Sequence, residues 1–80
     1  MHADTLVKMA NQIGDFFEAM PDRDEAIEGI ALHIKRFWEP RMRHEFLAHI
    51  DAHEADASKG GPELHPIVLE AVRLHRAELA

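Results

Sequence analysis

The 80-residue chain has no cysteine and no tyrosine. The missing thiols exclude disulfides, thiolate-bound zinc and iron–sulfur ligation by this chain itself, so any redox centre it serves belongs to something else. Aromatic residues are few, four phenylalanines and one tryptophan, and Lys and Arg are outnumbered fifteen to nine by Asp and Glu. A formal charge of −6 argues against a general phosphate-backbone binder, which relies on an excess of clustered basic residues. No apolar run approaches the roughly 20 residues of a membrane span, and the start "MHADTLVKMANQIG" lacks the basic, apolar and small-residue succession of a signal peptide. The expected location is the cytoplasm. Neither a phosphate-cradling glycine loop nor a nucleophile elbow is present, and Gly14 and Gly29 stand alone inside helical patterns.

What the chain does have is apolar residues, at 46%, alongside 30% charged ones, a balance that suits a folded protein rather than a disordered one. A single domain of this length buries only roughly 60–65% of the surface its unfolded form exposes, so its own core is thin.

Apolar spacing predicts an all-α fold, a small bundle of three to four short helices over about 4–20, 22–38, 40–55 and 66–79, joined in one domain with a loop at about 56–65. In the first, Leu6, Met9, Ala10, Ile13, Phe16, Phe17 and Met20 fall within about a third of the helical wheel. Asp4 or Thr5 can cap it, and Pro21 closes it. Asp22 with Glu25 three residues on approximates a capping box for the second helix. Ala26, Ile27, Ile30, Ile34, Phe37 and Trp38 share one side of that helix, and Leu32 faces outward. Pro40 suits the first turn of the third, although a kink there would also leave the second and third helices nearly continuous. In the fourth, Ile67, Val68, Ala71, Val72, Leu74 and Leu79 spread over almost half the circumference, with Leu69 further round. That is more than one packing face needs, and it points to surface for a partner.

Seven histidines raise a metal hypothesis, carried by Glu45, His49 and His53 at i, i+4, i+8 on one helix face. The bland alternative is that His49 and His53, on the stripe of Met42 and Phe46, are packed or half-buried. "HEFLAH" fails the zinc-protease pattern by one residue, since His44 and His49 lie five apart and diverge round a helix. The carboxylates of "PDRDEAIEG" sit in a first turn, where capping and solvation account for them. No catalytic residue is assigned.

The segment "FWEPRMR", residues 37–43, joins an aromatic pair to the densest basic cluster, Lys35, Arg36, Arg41 and Arg43. Aromatics, Met and Arg are enriched at interface cores. These side chains either form or support a docking edge, or else Phe37 and Trp38 fill the core at a helix corner while the arginines are solvated. The candidate interface set is Phe37, Trp38, Arg41, Met42, Arg43 and Leu32, with Phe16, Phe17 and Met20 of the first helix holding that corner.

The segments "KMANQIGDFF" (8–17), "FWEPRMR" (37–43) and "LHPIVLEAV" (64–72), in that order, make nearly the whole chain resemble the delta subunit of the bacterial cytoplasmic NAD-dependent molybdenum formate dehydrogenases. The loop "EADASKGGPE" (54–63) is the least distinctive part. The resemblance implies a non-catalytic accessory subunit, without cofactors of its own, docked on and stabilising the catalytic (alpha) subunit of an enzyme that oxidises formate to carbon dioxide and reduces NAD⁺. In such complexes the catalytic subunit holds molybdenum on two pyranopterin guanine dinucleotides plus iron–sulfur clusters, while other subunits carry further clusters, FMN and the NAD site. On the acidic charge and the lack of a long apolar run, neither nucleic acid nor a membrane is expected as a partner. A maturation chaperone that assists insertion of the molybdenum cofactor, and a self-associating helical module, are the competing readings.

Overall fold

Helix α1 covers Ala3–Glu18 and α2 covers Arg23–Phe37 in the computed structural model, which describes residues 3–55 and 64–80. A connection this short makes α1 and α2 an antiparallel hairpin. Asp22 caps α2 as its position implies: Oδ1 accepts from the backbone N–H of Asp24 at 2.9 Å and of Glu25 at 3.3 Å, satisfying two donors that lack helical partners. α1 stops two residues short of Met20, and the N–H of Met20 bonds back to the Phe17 carbonyl.

Helices α2 and α3 (Pro40–Ala55) are separate. Trp38 takes an extended conformation, with φ −91° and ψ 136°, and breaks the helical path before the proline. Two carbonyls at that exposed helix end, those of Lys35 and Trp38, accept bonds from Nη1 of Arg43 at 2.9 and 3.4 Å. One turn of α3 thereby closes the end of α2.

α4 (Pro66–Leu74) lies against both α1 and α2, which explains its wide apolar arc. Ile67, Val68, Ala71 and Val72 are buried in the chain's own core, so the surplus expected there for a partner is mostly consumed internally; Leu74 remains exposed. The expected single helix to residue 79 is broken at His75, after which a short α5, Arg76–Leu79, turns back on α2 and buries Leu79. Arg76 holds this turn to α3 through a bidentate pair with Asp51, at 2.9 and 2.6 Å.

The core is continuous from α1 to α5 and includes Leu6, Ile30, Ile34, Phe46, Ile50, Val68 and Leu79. Both helical glycines mark close approaches rather than turns. A Cβ on Gly14 would stand 2.5 Å from Val68 Cγ2 of α4, and one on Gly29 would stand 2.5 Å from the ring of Phe17. Among the described residues, no helix is long and apolar enough to cross a membrane.

Candidate functional site

The hairpin geometry leaves part of its apolar surface uncovered. α1 turns one stripe, Leu6, Ala10 and Gly14, into the core, while Met9, Ile13, Phe16 and Phe17 follow a second stripe beside it. α2 contributes Gly29, His33 and Phe37 at successive i, i+4 positions. Because Gly29 has no side chain, the ring of Phe17 can lie across that stripe. The result is an open groove of about 670 Å³ lined by Met9, Gln12, Ile13, Phe16, Phe17, His33, Phe37 and Trp38.

Its rim is aromatic and wet. Phe16 is 72% and Phe37 71% exposed, values that leave most of each ring without a packing partner. Phe16 meets Phe17 edge-on with centroids 5.2 Å apart, and the His33 ring lies 4.7 Å from Phe37 and 6.4 Å from Phe17. His33 is the one titratable residue in the lining, Gln12 supplies an amide, and Trp38 carries an indole N–H. The groove therefore offers mainly apolar contact with a few hydrogen-bonding groups, a composition suited to binding.

The expected interface residues divide into distinct places. Phe16, Phe17, Phe37 and Trp38 come together in the groove. Trp38 is only 4% exposed and stacks edge-on with Phe46 at 5.2 Å, so of forming or supporting a docking edge it can only support one. Met20 and Met42 are partly buried against the core, and Leu32 is exposed on the neighbouring stripe of α2. Arg41 is exposed at the start of α3, whereas Arg43 turns inward to the end of α2.

The groove also includes residues that sequence reasoning passed over as a binding surface: Met9, Gln12, Ile13 and His33. The spacing of Gly29, His33 and Phe37 is the signal that marks a second stripe on α2.

Of the metal candidates, Glu45 and His49 are half-buried on α3, and His53 lies outside the described side chains. The fold assembles a different trio. Ligand atoms of Asp15, Glu18 and His65 lie within 4.8 Å of one another, with His65 Nδ1 2.9 Å from Asp15 Oδ1. Only folding joins these, since His65 is the N-cap residue of α4 and its backbone N–H donates to Asn11 Oδ1 at 2.9 Å.

In comparison with known families, the model of the NADH-dependent formate dehydrogenase delta subunit FdsD fits residues 5–72. No curated protein and no solved structure matches the chain.

Proposed function

Because the chain belongs to the FdsD family of NADH-dependent formate dehydrogenase delta subunits, we propose that it is a non-catalytic subunit of a cytoplasmic formate dehydrogenase complex, docked on the catalytic subunit and stabilising it. The family match over most of the chain carries this reading. The aromatic groove supports it, since two phenylalanines left largely in water are a cost to an isolated small domain and a contact surface within a complex.

The stabilisation follows from linkage. A chain that binds the folded partner and not the unfolded one lowers the free energy of the folded form by RT ln(1 + [L]/Kd), about 2.7 kcal/mol at a hundredfold excess over Kd. Such an effect needs no catalytic group in this chain.

The reaction itself, formate and NAD⁺ to carbon dioxide and NADH, and its cofactors belong in this reading to the other subunits. These are molybdenum on two pyranopterin guanine dinucleotides, iron–sulfur clusters, FMN and the NAD site. The chain has no cysteine with which to ligate a cluster.

The test is a pull-down of the tagged chain from its own cells grown with formate. Size-exclusion of the eluate follows, with assays for molybdenum and formate-dependent NAD⁺ reduction. Retention in a large, active, molybdenum-containing complex is the expected result. Elution with a molybdenum-free catalytic subunit would make it an assembly factor instead, and elution alone would remove the assignment.

A further inference from the structure

The groove has features that specify its occupant, given the reading above that the chain is a subunit of a larger complex. Its walls are two α-helices whose backbone groups are already paired, so an extended peptide entering it would find no strand edge. Its own N–H and C=O groups would be stranded against apolar side chains. A helix satisfies those groups internally. From Met9 to Phe17 the α1 wall is about 12 Å long at 1.5 Å per residue, close to the two turns that separate anchors at i, i+3 or i+4, and i+7. A second copy of this chain has turned the main apolar stripes of α1, α2 and α4 into its own core, and the apolar surface it leaves on α1 and α2 is the same groove and rim rather than a free amphipathic helix.

The hairpin is also charged in opposite senses at its two ends. Around the end where Phe37 and Trp38 lie, the exposed basic residues Lys8, Lys35, Arg36 and Arg41 outnumber the exposed acidic Asp4 and Glu39. Glu18, Asp22, Asp24 and Glu25 are exposed around the α1–α2 turn at the other end, where the one basic residue, Arg23, is paired with Glu70. A bound helix with acidic residues in its first turn matches this arrangement and its own dipole together.

We propose that the α1–α2 groove binds one amphipathic helix of a partner subunit, anchored over about two turns, with its acidic N-terminal end beside Phe37 and Arg36. The groove thus reads both the apolar face and the direction of its ligand.

The experiment replaces Phe16 or Phe37, one at a time, with the photoreactive p-benzoylphenylalanine in the tagged full chain. The complex is purified from its own cells, irradiated, and its crosslinked peptides identified. Both positions are exposed, so the label does not enter the core. Both labels are expected to reach one apolar-periodic segment of a partner subunit, the Phe37 label at its acidic end. The double variant Arg36→Glu, Arg41→Glu is expected to lose retention by about tenfold, recovered when the partner's acidic residues are changed to lysine.

Crosslinks to a second copy, to a segment without helical apolar spacing, or in the reverse direction overturn the proposal. So does an intact complex in which neither label captures a partner, an outcome that leaves the subunit assignment standing. Failure of the unlabelled chain to co-purify removes that assignment, and this inference with it.

Discussion

The ring of Phe17 fills the space that a side chain at position 29 would need: a Cβ on Gly29 would lie 2.5 Å from its Cε1 and 2.8 Å from its Cδ1. One missing side chain on α2 thus lets an aromatic of α1 form the groove floor, and makes the site's shape depend on a residue that contributes no contact of its own.

Alanine at the two helical glycines should therefore behave differently. Gly14→Ala drives a methyl into Val68 Cγ2, on a stiff, fully buried side chain, and is expected to cost about 1–3 kcal/mol even against the gain in helix propensity. Gly29→Ala meets a half-buried ring bordering open space, into which the ring can swing. Its overpacking is largely offset by the about 1 kcal/mol that Ala gains over Gly in a helix. Urea unfolding separates the two, and an equal loss would show that Phe17 is as confined as Val68. Gly29→Ala should nevertheless weaken retention in the complex, because it displaces the groove floor.

Phe37 and Trp38 are neighbours in sequence and opposites in role. Trp38→Ala removes a core side chain stacked on Phe46 and is expected to cost about 3–5 kcal/mol. Phe37→Ala should change stability by no more than about 0.5 kcal/mol while reducing co-purification with the enzyme complex. Thermal unfolding of the purified chain beside a pull-down gives both readouts. A folded, stable Trp38→Ala would contradict the placement of the indole, and full retention of Phe37→Ala would remove the ring from the interface.

This pair also shows where periodicity stops informing. Ile27, Ile30 and Ile34 read correctly as core from spacing alone, as did the Asp22 cap and the Pro40 start, because local chemistry decides each of them. Trp38 shares a wheel sector with Phe37, yet it leaves helical geometry at the cap, where the wheel no longer applies. The break at His75 had no sequence signal, since neither glycine nor proline lies near it. Tertiary contacts of Leu79 and Arg76 accompany it. The groove was half legible: its aromatics were evident, but their meeting with His33 needed the α1–α2 pairing that only the fold supplies.

Arg43 and Arg41 offer a second contrast within one basic cluster. Arg43→Met keeps an unbranched apolar stem but loses the guanidinium and its bonds to the Lys35 and Trp38 carbonyls, at an expected cost of about 1–2 kcal/mol. Arg41→Met, at an exposed position, is expected to leave stability within about 0.5 kcal/mol and to act on association alone. Denaturant titration of the two variants is the check. Equal stabilities would mean that α2 does not depend on α3 for its closure.

The last turn makes the final prediction. Leu74 and Leu79 belong to one apolar arc, but the break at His75 leaves Leu74 66% exposed and carries Leu79 into the core against α2. Leu79→Ala is expected to lose about 2–5 kcal/mol, a large share of what a domain of this size has. Leu74→Ala should lose about 0.5 kcal/mol at most. Were α4 to run unbroken to its end, Leu79 would extend past the helices that now cover it, and its truncation would cost as little as that of Leu74. Differential scanning calorimetry of the two variants decides between these geometries. Because the Arg76–Asp51 pair holds the same turn, Asp51→Ala should reduce the cost of Leu79→Ala by loosening the turn beforehand.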